Sequence, residues 1–381
     1  MENRTLKITV ILIVLLFAAT SCAIVSDYDG HNSSKGGSIR SIVRPFKSHA
    51  VVENITVGTS PFGVAFASST EDMYVMNSGS NNVSVISGST NEVVDSIIVG
   101  STPVNAAFDS SNGYLYVVNC GSNNVSVING YTNTVVTNVK VGTLPFGVAF
   151  DSTNGYLYVT NSGSNNVSII NGATNKVVGG ITVGSNPYAA ALDSTNGYLY
   201  VTNSGSNNVS IINGATNKVV GGITVGAYPL GVNFDSLNGY VYVADRNSYE
   251  ISVINGATDK VVDNITSIAY PLYLTFDSLN GYMYVTNSYP RISVINVSTN
   301  KVAYNITFYT SASGITFDSK NGNVYVVHYY SNTISIISPI YPAKSHFSPV
   351  ISKTDLYMII GVAAAIITVG VVVSRMIRRK K

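Results

Sequence analysis

Residues 145 to 184 read PFGVAFD, STNG, YLYVTN, SGSN, NVSIING, ATN, KVVGGITVG: four short runs rich in Val, Ile, Tyr and Phe, separated by clusters of Gly, Asn and Ser. β-Branched and aromatic side chains suit a pleated, half-buried strand, and the separating residues suit tight turns. The stretch is therefore predicted to be four strands joined by hairpins. Asn154-Gly155 is a dipeptide that tolerates the positive φ of a hairpin turn, and Asn-Gly recurs at Asn112, Asn196, Asn238, Asn280 and Asn321.

Working outward, a Tyr-Val pair recurs at Tyr74, Tyr116, Tyr158, Tyr200, Tyr242, Tyr284 and Tyr325, at intervals of 42, 42, 42, 42, 42 and 41 residues. Seven four-stranded copies of this length have the dimensions of propeller blades. A β-helical solenoid is the alternative, but its coils are shorter and its ends need caps. The phase of the repeat adds closure. The first element, Ala50 to Gly58 (AVVENITVG), matches a fourth strand, while the last copy, residues 312 to 337, supplies only three strands. The orphan strand is expected to complete the last blade, which removes the free edges of an open array. The expected fold class is all-β: a seven-bladed β-propeller over residues 49–338, closed by its N-terminal strand.

The YVTN tetrapeptides at Tyr158 to Asn161, Tyr200 to Asn203 and Tyr284 to Asn287, set in NGYLYVTNSGSNNVSIINGATNKVV, resemble the YVTN family of β-propeller repeats. The resemblance covers about 290 of 381 residues and departs in later copies, YVAD at Tyr242 and YVVH at Tyr325. It implies likeness to archaeal surface-layer and cell-surface components.

The termini carry independent membrane signals. Arg4 and Lys7 precede a predominantly apolar stretch of twelve residues, Ile8 to Ala19, and the small residues Ala18 to Ala23, the order of a secretory signal peptide over residues 1–23. An uncleaved N-terminal anchor is the competing reading. Residues 24–48 are expected to be a flexible leader and 339–355 a stalk. Leu356 to Ser374 holds nineteen residues without a charge, enough to span roughly 28 Å as a helix. Residues 375–381 then carry five positive charges, which places them in the cytoplasm and everything before Leu356 outside the cell.

That tail masks the charge of the rest. Residues 49 to 340 contain 15 Asp plus Glu against 8 Lys plus Arg, a balance of −7, so no nucleic-acid partner is expected. Only 10% of the chain is charged, against about 25% in ordinary soluble domains, which suits a glycan-covered or acidic setting. Only Cys120 survives signal cleavage, so no intrachain disulfide is expected.

Candidate chemistry is sparse. The recurrent acids Asp109, Asp151, Asp193, Asp235, Asp277 and Asp318 stand at strand-to-turn junctions, where a carboxylate caps backbone N–H groups, so no metal is expected there. No cofactor is expected. Cys120 replaces a repeated loop serine without a histidine in matching position, and is read as a drifted loop residue. Asn82, Asn124, Asn166 and Asn208 each open an Asn-Val-Ser glycosylation sequon in blades one to four. Further sequons begin at Asn54, Asn264 and Asn305 on outer strands and at Asn296 in a turn.

The loops between second and third strands break pattern in blades five to seven. There stand Asp245, Arg246, Tyr249 and Glu250, then Tyr289 and Arg291, then His328, Tyr329 and Tyr330. Strand alternation puts these loops on one face with the connections between blades, which are expected to carry Phe62, Phe146, Tyr188, Tyr228, Tyr270 and Tyr309. Tyr and Arg favour contact surfaces. The expectation is a non-enzymatic, membrane-anchored surface protein meeting a protein or glycan partner through blades five to seven; relaxed divergence of terminal repeats is the competing account. A second expectation is an extracellular hydrolase or lyase whose central channel presents Asn105, Asn186, Asn233 and Tyr273. A third is a small-ligand receptor, set back by the short cytoplasmic tail.

Overall fold

The computed structural model describes residues 48–340. They form 28 strands in seven four-stranded antiparallel sheets. Blade one runs Pro61–Ala67, Asp72–Asn77, Asn82–Ile86 and Val93–Ile98, and five more blades repeat it in chain order. Blade seven takes three strands from the end, Ile315–Phe317, Val324–His328 and Thr333–Ile340, and its outermost strand from the beginning, Ser48–Thr56. Asn54 faces Ser335 and Ile55 faces Ile334 across that last pairing. The predicted closure is the one observed. At the ring's inner seam Gly314 N–H donates to the Phe62 carbonyl at 2.8 Å, joining blade seven to blade one.

The repeated tetrapeptide shows why this sequence closes into a ring. The first letter is a clasp: Tyr158 is fully buried, and its hydroxyl lies 2.7 Å from Asn217 Oδ1 and 3.3 Å from the Gly214 carbonyl, both in the next blade. The same contact joins Tyr74 to Asn133, Tyr116 to Asn175 and Tyr200 to Asp259. The valine is buried in a core that lies between blades; Met73 and Val75 of blade one pack with Tyr325, Val327 and Ile334 of blade seven. The threonine ties innermost strands together: Thr160 Oγ1 accepts from Gly147 N–H and donates to the Tyr188 carbonyl of the next blade, each at 2.8 Å. The asparagine secures the second loop: Asn161 Nδ2 donates to Asn166 Oδ1 and Ser168 Oγ, both at 2.9 Å.

Two further features follow from local sequence. Gly155 takes φ +72°, and its counterparts in the same turn of blades two to seven are likewise positive, as Asn-Gly requires. The acids before that turn act as predicted: Asp109 Oδ1 accepts Ser111 N–H at 2.9 Å, and Asp318 Oδ1 accepts Lys320 N–H at 2.7 Å. On the outer strands a bulge at Val94 and Val178 breaks the ladder and blunts an edge that could otherwise pair with another chain.

Among the described residues no helix is long and apolar enough to cross a membrane. The propeller runs slightly past its expected bounds: Ser48, expected in the leader, pairs with Ile340, and Pro339, expected with Ile340 in the stalk, pairs with His49. The expected signal segment, membrane helix and basic tail, and the rest of the leader and stalk, lie outside the described residues.

Candidate functional site: a tyrosine-rich sector on one face

In blades one to four the second loop is Ser-Gly-Ser-Asn, with Cys120 for the first serine in blade two. Its last residue, Asn81, Asn123, Asn165 or Asn207, adopts φ between 51° and 55°. Asparagine tolerates that left-handed region, and its side chain is used there: Asn207 Oδ1 accepts Tyr228 N–H of the following connection at 2.9 Å. Asn332 does the same for Ser60 across the closure.

Blade five breaks this rule. Tyr249 occupies the asparagine position at φ 60° and is 44% exposed. Its hydroxyl donates to the Tyr270 hydroxyl at 3.0 Å, and the two rings meet edge to face with centroids 4.7 Å apart. Tyr270 stands 5.9 Å from Tyr289 of blade six, and the Arg246 guanidinium lies over the Tyr270 ring at 5.6 Å. The blade-six loop is one residue shorter, and Tyr289 is 51% exposed. Arg291 then stands where blades one to four have Asn82, Asn124, Asn166 and Asn208; it is half-buried, and its Nε has no hydrogen-bond partner. In blade seven Tyr329 packs on Tyr330 at 5.2 Å, and Tyr330 is 78% exposed. Tyr228 and Tyr309 are also exposed on this face.

Not every residue expected in the contact set is exposed. Asp245 is fully buried: it takes the place of Asn203, accepts the Ser252 hydroxyl at 2.6 Å and faces Gly226 N–H. Burial chiefly, with nearby Glu250 adding, pushes its carboxyl up to about 7. His328 is also buried; Nε2 pairs with Ser335 Oγ at 2.7 Å and the ring packs on Phe308 at 4.8 Å, so burial lowers its proton affinity. Both are inner parts of the asparagine network, because the last residue of a second strand points into its blade while the loop after it points out. Glu250 is half-buried beside Gly226. Tyr270, which the sequence placed on this face but outside the contact set, lies at the centre of the cluster; its signal was its place just before Pro271.

The channel also differs from expectation. Phe62, Phe146 and Tyr188 lie on innermost strands and turn to the axis, because each follows the proline that opens its strand. Phe146 and Tyr188 stand 4.1 Å apart, Phe62 and Tyr273 6.0 Å apart, and the Tyr188 and Tyr273 hydroxyls meet at 2.5 Å. Phe62 and Tyr273 of this group also line a cavity of about 150 Å³, together with Asn105, Asn233 and otherwise Gly, Ala, Val, Leu and Ile. Asn186 is absent from that lining; it sits at φ 50° in the preceding turn, where its carbonyl accepts Ser204 N–H. The lining offers two amides and one phenol, and burial holds that phenol's proton far above its usual range. It contains no carboxyl, imidazole or thiol to exchange protons near neutrality. Cys120 is half-buried outside the channel lining, and burial raises its thiol, leaving little thiolate.

The Asn-Val-Ser triplets have a second role. Ser84, Ser126, Ser168 and Ser210 are buried, and each Oγ accepts from the blade's preceding asparagine. Asn82, Asn124, Asn166 and Asn208 commit Oδ1 to the same network, and Asn82 Nδ2 also donates to Ser96 Oγ at 2.7 Å. On the outer strands Asn54 and Asn305 accept from Ser335 and Ser293, while Asn264 has no side-chain bond of its own there; Asn296 Oδ1 closes its turn on Ser298.

Comparison with known proteins supports the architecture. No protein-family model and no curated protein matches the sequence. Among solved structures, Kuenenia stuttgartiensis hydrazine synthase is similar in fold, with a TM-score of 0.68 and 18% identity over 76% of this chain and 98% of that one. At that identity the likeness is one of fold, and propellers host many unrelated functions.

Proposed function

We propose that this chain is a non-enzymatic binding module of the cell surface, and that Arg246, Tyr249, Tyr270, Tyr289, Arg291 and Tyr330 form its contact face. The observation that carries this reading is Tyr249. A bulky residue at φ 60° is strained by about 1 kcal/mol, and the asparagine used at that position in five blades would relieve the strain and cap the next connection. A rule kept in five blades and broken in the two adjacent loops of blades five and six, where the new side chains join one aromatic cluster, is the pattern of a functional site.

The surface setting rests on the sequence: the YVTN resemblance, the apolar residues 8–19, the uncharged span 356–374 and the basic residues 375–381. In this reading the disc stands outside the cell on a short stalk. The test replaces Arg246-Asn-Ser-Tyr249 by the Ser-Gly-Ser-Asn of blade four in the full chain and measures its binding to envelopes of the source cells. Loss of binding with unchanged or higher thermal stability supports the reading. Undiminished binding removes it.

A further inference from the structure

Charge is segregated between the two faces of the disc. Turns between first and second strands and between third and fourth strands hold Glu71, Asp109, Asp151, Asp193, Asp235, Asp259, Asp277 and Asp318 on one face, beside Lys176, Lys218, Lys260, Lys301 and Lys320. The tyrosine face is different: its cations are Arg246, Arg291 and Lys140, and its carboxyls are the half-buried Glu250 and the buried Asp245. Arg246 and Arg291 are the only arginines of residues 48–340; Arg246 stands in the second loop of blade five and Arg291 opens the third strand of blade six, Arg291 Nε has no hydrogen-bond partner, and among the described residues neither guanidinium forms an ion pair with a carboxylate. A guanidinium left unpaired among tyrosines is a ready fork for a planar anion.

We infer that this sector binds an anionic polysaccharide, with carboxylate or sulfate groups on Arg246 and Arg291 and sugar rings against Tyr249, Tyr270 and Tyr289. The inference deepens the proposed function and rests on it. Three features favour a saccharide over another occupant. Tyr249 and Tyr289 expose rings with hydroxyls at their edges, which match the alternating C–H and hydroxyl surface of a pyranose, and the half-buried Tyr270 stands between them. The patch is made of exposed and half-buried side chains from neighbouring loops, whereas a small molecule needs an enclosing cavity. Charge complementarity selects an acidic chain over a neutral one.

The experiment uses the full chain in detergent micelles and measures retention on immobilised polygalacturonate, dextran sulfate, neutral dextran and polyglutamate. Expected are binding to one or both acidic polysaccharides, at least about tenfold weaker binding to dextran and polyglutamate, and weakening as salt rises from low to physiological strength. Arg246→Gln with Arg291→Gln should lower retention at least about tenfold, and Tyr249→Asn should lower it while raising thermal stability. Equal binding of polyglutamate would leave the tyrosines without a role, and equal binding of dextran would leave the arginines without one; either overturns the inference. If no polysaccharide is retained while envelope binding still depends on the Arg246–Tyr249 loop, the saccharide is wrong and the contact face stands. If neither binding depends on the loop, both fall.

Discussion

Blades three and four repeat the same thirty residues, 155–184 and 197–226, letter for letter, whereas blades five to seven keep the strands and change the loops. The difference separates what the ring requires from what it carries. In the identical blades every polar side chain of the tetrapeptide has a partner that another blade or loop supplies: Tyr158 and Tyr200 reach forward, Thr160 and Thr202 tie innermost strands, Asn161 and Asn203 hold loops. In blade five the threonine is Ala244, the asparagine is Asp245 and the loop asparagine is Tyr249. Each change discards a structural contact. The regular sector is thus expected to lose stability on almost any substitution, and the irregular one to gain stability when restored to the chain's own pattern.

The largest expected effect breaks the regular side. Tyr158→Ala removes a fully buried ring and an inter-blade clasp, and should destabilise by about 4 kcal/mol. Tyr158→Phe isolates the hydroxyl and should cost about 1 kcal/mol, since Asn217 Oδ1 and the Gly214 carbonyl lose a shared donor. Tyr249→Ala, the same chemical change on the exposed sector, should be neutral. Denaturant unfolding of the three variants decides the matter; equal losses at Tyr158 and Tyr249 would erase the distinction between sectors. A backbone control sharpens it. A Cβ at Gly147 would stand 2.5 Å from the Tyr188 carbonyl oxygen, whereas one at Gly155 meets nothing within 4 Å. Gly147→Ala should therefore disturb the inner seam, while Gly155→Ala should cost only the strain of a positive φ, about 1 kcal/mol.

Asp245 gives a pH-dependent effect of intermediate size. Its carboxyl holds a proton more tightly in the folded chain, up to about 7, than in the unfolded chain, at about 4. Its contribution is therefore most favourable below about pH 4 and is lost as pH climbs towards 7. Asp245→Asn restores the amide that blades one to four and six carry and should raise stability by roughly 2 kcal/mol at pH 8, with a much smaller gain near pH 4. Melting temperatures of both chains across that range are the measurement, and a gain that does not grow with pH would place the cause elsewhere.

The ring itself was legible in the sequence because a period of 42 residues with strand-length apolar runs leaves few alternatives, and because the offset of Ala50 to Gly58 announced the shared last blade. Turn capping by Asp109 and its counterparts was legible for the same reason: the role depends on residues two positions away. What escaped depends on which way a side chain turns from its strand. Asp245 and His328 look like loop residues, yet each is the last residue of its strand and points inward; Phe62 and Tyr188 look like connection residues, yet the proline before each already starts the innermost strand. A shift of one position changes the face, so a boundary error of that size misplaces the residue completely. Arg246, Tyr249 and Tyr289 were grouped from the sequence, but Tyr270 was left out of the group because it belongs to the connection between blades five and six, and only the folded loops set it against them.

A small expected gain bears most directly on function. Tyr249→Asn puts back the residue that Asn81, Asn123, Asn165, Asn207 and Asn332 represent at the same left-handed position. The exchange relieves backbone strain and supplies an oxygen for the N–H of Tyr270, as Asn207 does for Tyr228 at 2.9 Å. Against this stands the loss of one exposed hydroxyl contact to Tyr270 and one edge-to-face ring contact, each worth less than about 1 kcal/mol at the surface. The balance should be a gain near 1 kcal/mol, read as a rise of a few degrees in melting temperature. Stability and binding should then move in opposite directions at a single residue. Relaxed drift of terminal repeats gives the gain in stability with no change in binding, so measuring both quantities on this one variant tells a working surface from a decayed one.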